Sequence, residues 1–226
     1  MSRAVILVVA KAPRPGEAKT RLAASIGPVA AAEIAAASLL DTLEAVCAVP
    51  DAAVRVAWTG ELAGARRDAE VGDALARTSV FPQCGGGLAE RLAAAHRQVA
   101  EELPTTPVLQ IGMDTPQITG PLLAESIEPL RTAGGPGAVL GPADDGGWWA
   151  LGLRDPRQAR LLRGVAMSAE DTGRRTEEAL RAVLPAVGPL PGLADVDTIA
   201  DARQVAALIP DSRFSDAVRH HVGVGR

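Results

Sequence analysis

The sequence predicts an α/β fold in which helices cover both faces of a largely parallel β-sheet. Short apolar runs rich in β-branched residues alternate with Ala-rich stretches, and this alternation is typical of parallel strands joined by helical crossovers. The first run, "RAVILVVA", is apolar on both sides, as expected of a strand buried on both faces. The 226 residues, 47% of them apolar, can form one sizeable core.

Six strands are expected from short apolar segments bounded by Gly, Pro or charged residues. They span residues 3–10, 52–58, 78–83, 107–112, 137–141 and 148–153. Helices are expected between or after them, at residues 28–49, 61–76, 88–102, 120–133, 169–183 and 199–209. In the helix over 88–102, the residues Leu88, Leu92, Ala95 and Val99 recur at helical spacing on one face. Pro129 is expected to break or cap the helix over 120–133.

The sequence contains no internal repeat and no low-complexity linker, so it predicts a single domain over residues 1–210. The segment 211–226 is polar and is expected to be a C-terminal tail that docks loosely or not at all. Cys47 and Cys84 form no paired motif, which predicts two reduced cysteines in a cytoplasmic protein. The three histidines show no metal-ligand spacing, and His96, like the other two, is expected at the surface.

Charge and hydropathy exclude two classes of protein. The formal net charge is −4, which argues against a broad nucleic-acid-binding face. No run of about 18 apolar residues is present, so no membrane span is predicted. The N-terminal apolar segment lacks a small-residue cleavage site and leads into a charged turn, so it does not read as a signal peptide. Small-molecule partners remain the main expectation.

Four unusual loops follow strands of the predicted sheet. They are "KAPRPGEAKTR", "QCGGGL", "MDTP" and "PADDGGW". Ligands of open α/β sheets bind at the carboxyl ends of the strands. Since all four loops are expected at that edge, together they indicate a ligand site more strongly than any one of them does.

The first loop concentrates positive charge behind a buried strand. It contains the chain's only two lysines, Lys11 and Lys19, together with Arg14 and Arg21. Two prolines and Gly16 keep the turn from being helical, so these cations can surround one anion with help from the amides of the following helix. The turn lacks the spacing of a Walker A motif. The alternative, a solvated basic turn, does not explain four cations at the end of a buried strand.

Two acidic segments are candidates for holding a divalent cation. Asp114 follows a buried strand directly, and Mg²⁺ typically takes one or two protein carboxylates plus phosphate oxygens. "DVDT" supplies Asp195 and Asp197 just before a helix. The alternatives are a turn or cap role for Asp114 before Pro116 and an N-cap role for one of the later pair.

Two glycine-rich loops complete the pattern. In "QCGGGL", exposed backbone amides and the Gln83 side chain suit the edge of a nucleobase, although a glycine-rich helix entry is also common. In "GPADDGGWW", adjacent Trp148 and Trp149 face opposite sides of a strand, so one is expected in the core and the other at a pocket. A tight Asp-Gly hairpin is compatible with that reading.

These motifs resemble those of bacterial GT-A-type, nucleotide-diphospho-sugar-transferase-like proteins, many of them glycosyltransferase-like proteins of unknown function. The segments that carry the resemblance are "AKAPRPGEAKTRL", "IGMDTP", "GPADDGGWWALGL" and "DVDTIAD", within about residues 4–209. The chain is similar to phospholactate guanylyltransferases, and more remotely to molybdenum-cofactor guanylyltransferases and sugar-1-phosphate nucleotidylyltransferases. The resemblance implies a three-layer, Rossmann-like GT-A fold with a nucleotide in its N-terminal half.

The resemblance also implies four sets of site residues. The triphosphate would be held by Lys11, Arg14, Gly16, Lys19 and Arg21, and the base and ribose by Gln83, Gly86, Gly87 and Leu88. Mg²⁺ or Mn²⁺ would be held by Asp114 and Asp197. The second substrate would face Asp145, Gly146, Gly147 and Trp148.

Two departures from the relatives help to choose a reaction. The basic turn does not match the "GGxxxR" entry of the molybdenum-cofactor and sugar enzymes, and "DTP" is not the DxD of many glycosyltransferases. Clustered cations suit a departing pyrophosphate, on which negative charge builds up as the α-phosphorus is attacked. We therefore predict a Mg²⁺-dependent nucleotidyltransferase that joins a nucleoside triphosphate to a sugar phosphate or phospho-acid, with Lys19, Arg21 and Asp114 as catalytic residues. A glycosyltransferase that uses a nucleotide-sugar and a non-catalytic nucleotide-binding module are the alternatives.

Overall fold

A computed structural model describes residues 4–223, which form helices on both sides of a seven-stranded sheet. The strands are β1 (Ala4–Lys11), β2 (Ala52–Thr59), β3 (Ser79–Pro82), β4 (Val108–Gly112), β5 (Ala138–Pro142), β6 (Trp148–Leu153) and β7 (Val187–Pro189). The helices are α1 (Thr20–Ile26), α2 (Pro28–Cys47), α3 (Asp68–Leu75), α4 (Leu88–Glu102), α5 (Gly120–Arg131), α6 (Thr172–Arg181), α7 (Ile199–Leu208) and α8 (Arg213–Val222), and a 3-10 helix covers Pro156–Gly164. Arg3, the first residue of the predicted first strand, lies outside the described residues.

The strand order is β3-β2-β1-β4-β6-β5-β7, and the predicted largely parallel sheet is confirmed. Strands β3, β2, β1 and β4 are parallel, and β5 pairs in parallel with β7. Only β6 is antiparallel to its neighbours, β4 and β5. Because one antiparallel strand separates β4 from β5, the carboxyl ends of β1, β4 and β5 point to the same edge, as the ligand-site prediction requires.

The sheet is buried between two apolar layers. On one face, β1 and β4 pack against α2 and α5, with Leu39 and Leu109 fully buried there. On the other face, Leu7 and Val108 pack against α4 through Val99. Alternate residues of β4 therefore face opposite layers, and the side chain of Gln110 lies on the α4 side with Val108.

The predicted helix over 61–76 is shorter in the structure, where α3 covers only Asp68–Leu75. The residues before it form a loop because Arg66 and Arg67 both turn toward Glu33 of α2, with Nε–Oε distances of 2.8 and 2.5 Å. Arg67 has a left-handed backbone, with φ of 51°, which ends any continuous helix at that point. α5 continues through Pro129 and ends at Arg131, so the helix ends two residues after the proline that was expected to break or cap it.

The predicted tail contains a docked helix, α8. Its Phe214 side chain is fully buried in a cluster with Leu22 of α1 and Ile34 of α2. The Phe214 N–H donates to Asp41 Oδ2 over 2.8 Å, and Arg213 pairs with the same carboxylate at 3.1 Å. The sequence suggested a loosely docked tail because only a few apolar residues anchor α8, so that the segment as a whole looks polar. Within residues 4–223, no helix is both long and apolar enough to cross a bilayer.

Candidate functional site

Two neighbouring cavities open at the carboxyl edge of the sheet, and Asp114 lines both. The first, here called the basic cavity, has a volume of about 230 Å³. Its polar lining consists of Lys11, Lys19, Thr20, Arg21, Asp114 and Asp197. The second, here called the acidic cavity, has a volume of about 280 Å³. Its main lining residues are Leu88, Leu92, Gln110, Asp114, Asp145, Trp148 and Asp195.

Lys19 lies at the centre of the basic cavity. It precedes α1 with a left-handed backbone, φ 49° and ψ 51°, a strained conformation for a non-glycine residue and one that is common at functional sites. Its side chain is only 5% exposed, and its Nζ lies 2.9 Å from Asp114 Oδ1 and 3.4 Å from Asp197 Oδ1. Burial by itself lowers the pKa of Lys19, but the two carboxylates outweigh it and raise that pKa above its ordinary value. The ammonium is therefore charged at neutral pH.

Three of the four predicted cations meet at the basic cavity. Arg21 is 73% exposed and places an Nη1 atom 3.1 Å from Asp197 Oδ2. Lys11 donates from Nζ to the Glu17 carbonyl over 2.5 Å. Arg14 does not line the cavity, because its Nη1 donates to the backbone carbonyls of residues 61 and 63 at 3.3 and 2.8 Å. Gly16, at φ 82°, forms the open tip of the turn.

The predicted metal ligands, Asp114 and Asp197, are brought together around Lys19. Burial, and after it the nearby charge of Asp145, raises the pKa of Asp195 to about 7. Carboxylate oxygens are the donors that Mg²⁺ prefers. Residues 4–223 contain no group of three His, Cys, Asp or Glu side chains placed to enclose a metal ion. Asp114 and Asp197 therefore offer two of the oxygen donors that suit Mg²⁺, and the Lys19 ammonium lies within reach of both.

The residues predicted to read the base are largely engaged within the fold. The Gln83 amide nitrogen donates to the carbonyls of Ala10 and Ala57, both at 2.9 Å, and so ties the ends of β1 and β2 together. The Gly86 N–H donates to Glu90 Oε2 over 2.8 Å. Gly87 is the N-cap of α4, and the next residue, Leu88, lines the acidic cavity.

The hairpin between β5 and β6 forms one wall of the acidic cavity. Asp145 Oδ1 accepts a hydrogen bond from the Gly147 N–H over 2.8 Å, which shapes the turn. Gly146 has φ 84°, and a Cβ atom there would lie 1.9 Å from the Glu170 carbonyl oxygen. The Gly173 N–H donates to the Gly146 carbonyl over 2.8 Å, so the start of α6 is locked against the hairpin. Only glycine fits this contact.

The two tryptophans divide as predicted. Trp149 is 2% exposed and belongs to the core, and its Nε1 donates to the Pro191 carbonyl over 2.8 Å. Trp148 is partly exposed and lines the acidic cavity, with its Nε1 3.2 Å from Thr176 Oγ1. The Trp148 indole is therefore oriented by α6.

The sequence reasoning missed the floor of the acidic cavity. The expectation of a surface position for His96 is wrong: the side chain is fully buried, and its Nε2 lies 3.0 Å from Gln110 Oε1. Burial lowers the pKa of His96 to about 4, so the imidazole is neutral at pH 7. The signal was present, because position 96 follows Leu88 and Leu92 at intervals of four on the apolar face of α4.

Solved structures with the same architecture define the class. One is a "putative nucleotide-diphospho-sugar transferase" from Desulfovibrio desulfuricans G20, at 25% identity and a TM-score of 0.78, covering 98% of this chain and 99% of that one. Two others show the fold alone. A 4-diphosphocytidyl-2C-methyl-D-erythritol synthase has 15% identity, a TM-score of 0.58 and coverage of 92% and 99%. A cytidylyltransferase from Leptospira borgpetersenii serovar Hardjo-bovis has 14% identity, a TM-score of 0.55 and coverage of 97% and 93%. The fold is thus that of the nucleotide-diphospho-sugar-transferase-like proteins.

Within that class, the chain belongs to the DUF2064 family, described as "Uncharacterized protein conserved in bacteria", whose model matches residues 42–169, more than half of the chain. No curated protein matches the sequence. The resemblance, the fold class and the transferase class of enzyme predicted from the sequence are confirmed by these comparisons.

Proposed function

We propose that the chain is a Mg²⁺-dependent nucleotidyltransferase, which joins a nucleoside triphosphate to a small phosphorylated acceptor and releases pyrophosphate. The observation that carries the proposal is the nearly buried Lys19 ammonium of the basic cavity, held between Asp197 and Asp114, the second of which also lines the acidic cavity. One cavity supplies cations for a triphosphate, and the other has room for a second substrate. The predicted cytoplasmic location and small-molecule partners belong to the same proposal.

In this proposal, the basic cavity binds the triphosphate. Lys11, Lys19 and Arg21 face the space where the β- and γ-phosphates would lie. Negative charge develops on the leaving pyrophosphate as the α-phosphorus is attacked, and preorganised cations stabilise that charge without reorganising. Lys19 is the best placed of the three, because its position is fixed by two ion pairs and by burial.

Asp114 and Asp197 would hold Mg²⁺ together with phosphate oxygens. When bound, the ion neutralises negative charge on the reacting phosphates. The Asp114 side chain is 47% exposed and lines both cavities, so it can help to align a donor in one with an acceptor in the other. The second pKa of an acceptor phosphate is about 6, so its oxygens are already ionised at pH 7. One of these oxygens can attack the α-phosphorus, and the reaction needs no protein nucleophile.

A second candidate is a glycosyltransferase with a nucleotide-sugar donor. The observation that favours it is the lining of the acidic cavity, which combines an indole with carboxylates, groups that suit a sugar ring. Both candidates place a nucleotide in the basic cavity. They differ in the product released, which is pyrophosphate in the first case and a nucleoside diphosphate or monophosphate in the second.

The test is a product assay with ATP, GTP, CTP and UTP, each with and without Mg²⁺, in the presence of sugar phosphates and phospho-acids. Mg²⁺-dependent pyrophosphate release with one triphosphate supports the proposal. Release of a nucleoside diphosphate from a nucleotide-sugar, with no pyrophosphate from any triphosphate, supports the second candidate. Asp114→Ala should abolish metal-dependent turnover, and an undiminished rate would refute the metal assignment. Arg160→Ala, an exposed position on the 3-10 helix, is the matched control and should keep full activity.

A further inference from the structure

Gln110 is a buried polar side chain at the floor of the acidic cavity. It lies in the middle of β4, is 3% exposed, and shares the α4 face of the strand with Val108. Its Oε1 is 3.0 Å from His96 Nε2. Among the described residues its amide nitrogen donates to no side chain or carbonyl, and because Gln110 lines the acidic cavity this nitrogen is open to the cavity rather than sealed in the core. An amide donor that faces a cavity and is free of partners from the protein can donate to a ligand that enters the cavity.

The orientation of this amide follows from the surroundings of His96. The Nδ1 atom of the ring is buried without a partner. An unpaired N–H in a buried place is less tolerable than an unpaired lone pair, so the ring proton belongs on Nε2. Nε2–H then donates to Gln110 Oε1, and the amide nitrogen of Gln110 is the group left for the cavity.

The remaining lining limits what can accept from this donor. The carboxylates of Asp114 and Asp145 line the acidic cavity together with the Asp195 carboxyl group, whereas no Lys, Arg or His lines it among the described residues. The rest of the lining is uncharged: it includes Leu88 and Leu92 of α4 and the hydroxyl side chains of Thr115, Ser168 and Thr172. A ligand with a second anionic group would meet like charge and poor solvation there.

We propose that Gln110 is a specificity-determining residue, whose amide N–H donates to an uncharged oxygen of the second substrate, and that His96 is the residue that positions it. The substrate body in the acidic cavity is then a neutral hydroxylated group, such as that of a sugar phosphate or polyol phosphate. A phospho-acid, which carries a carboxylate in place of a hydroxyl, is disfavoured. The assignment of this cavity to the second substrate rests on the proposed function, but binding to it can be measured without turnover.

Matched pairs of probes test the substrate class. Glycerol 3-phosphate and 3-phosphoglycerate differ by a hydroxymethyl against a carboxylate, as do glucose 1-phosphate and glucuronic acid 1-phosphate. Binding is measured by the fluorescence of Trp148 and Trp149, which both line the acidic cavity, in a Trp58→Phe background, with the Gln110 side-chain amide followed by NMR as a direct readout. We call the member of each pair with the hydroxymethyl group the neutral probe, because it carries no charge apart from its phosphate. We expect the neutral probe of at least one pair to bind about tenfold tighter than the acid and to shift the Gln110 amide signal. Equal binding within both pairs, tighter binding of the acids, or no binding by any probe overturns the proposal.

Two variants of Gln110 test its donor. Gln110→Leu and Gln110→Glu both remove the N–H, and the second keeps the side-chain shape if the first fails to fold. Each should weaken binding of the neutral probe about three- to tenfold. Gln98→Leu, on α4 but outside both cavities, is the control and should bind as the wild type does. Unchanged affinity in a folded Gln110 variant refutes the assignment.

His96 variants separate positioning from general stability. His96→Phe removes the donor that holds the Gln110 amide, and should raise the KM for the acceptor while leaving the KM for the triphosphate unchanged. His96→Gln restores a donor and should rescue the acceptor KM. If His96→Phe raises the KM for the triphosphate as well as the KM for the acceptor, or if His96→Gln does not restore the acceptor KM, the role of His96 is purely structural. If no variant or wild-type protein releases pyrophosphate but the neutral probes still bind through Gln110, the proposed function fails while this inference stands.

Discussion

Replacement of Lys19 by Met tests the electrostatic design of the basic cavity. Methionine keeps the length and the apolar stem but removes the ammonium that lies 2.9 and 3.4 Å from the two carboxylates. The strain of the left-handed backbone is the same in both proteins, so it cancels in the comparison. The expected loss therefore reports on the charge.

The size of the loss follows from burial. Breaking a fully buried ion pair costs about 3–5 kcal/mol, and an exposed pair contributes only about 0–1 kcal/mol. The Lys19 side chain is 5% exposed, while its partners Asp114 and Asp197 are 47% and 35% exposed, so this site lies between those limits. We expect a loss of about 1.5–3 kcal/mol, which lowers Tm by about 3–12 °C in a chain of this length.

Mg²⁺ should stabilise the variant more than it stabilises the wild type. Without a nucleotide to supply phosphate oxygens, the wild-type ammonium already neutralises Asp114 and Asp197, whereas in Lys19→Met the two carboxylates attract a divalent cation by themselves. The assay is thermal unfolding with MgCl₂ against NaCl of equal ionic strength. Lys11→Met is the control, because Lys11 is exposed and donates only to a backbone carbonyl, so its Tm should change little. An equal Mg²⁺ effect on wild type and Lys19→Met would refute the reasoning.

Three further predictions concern stability. The pKa of His96 in the folded state is about 4, below its ordinary 6.5, so the unfolded state takes up a proton first as the pH falls. The free energy of unfolding should therefore fall by about 3 kcal/mol as the pH drops from 6.5 to 4. Denaturant titrations should show this dependence in the wild type and a weaker one in His96→Gln. Phe214→Ala should cost about 3–5 kcal/mol by chemical unfolding, against under about 0.5 kcal/mol for the exposed Leu208→Ala, and similar losses would mean that α8 is not docked. Gly146→Ala should lower the Tm more than Gly64→Ala does, because both positions have a positive φ but only position 146 lacks room for a Cβ atom. Equal Tm losses would mean that backbone strain alone explains the effect.

The order of strands and helices could largely be predicted because it depends on local patterns. The helix over Leu88–Glu102 was predicted with the right bounds, since its apolar spacing is regular. The three-residue strand Val187–Pro189 was missed because it is too short to show any period. Helix α8 was missed because its burial depends on one large side chain, Phe214, and on partners in α1 and α2 that are far away in the sequence.

The candidate site, too, has features that the sequence could predict and features that it could not. The edge at which its loops gather follows from sheet topology, so the neighbourhood of Lys19, Asp114 and Asp145 was predictable. Which hydrogen bonds each side chain makes was not. Gln83 finds its acceptors at Ala10 and Ala57, which the sequence places 73 and 26 residues away. Such pairings depend on three-dimensional distances that no local pattern encodes.

The ion pair between Lys19 and Asp197 also bears on how the protein is made. The two residues are 178 positions apart, and Leu22 of α1, which follows Lys19, belongs to an apolar cluster that includes residues of α7 and α8. A ribosome therefore has to release most of the chain before the basic turn meets its second carboxylate and its apolar support. During that interval Lys19 and Leu22 are left to solvent or to other partners. Strands β1 and β2 leave the ribosome early, while the proposed phosphate site is completed late, with the segment that carries Asp197.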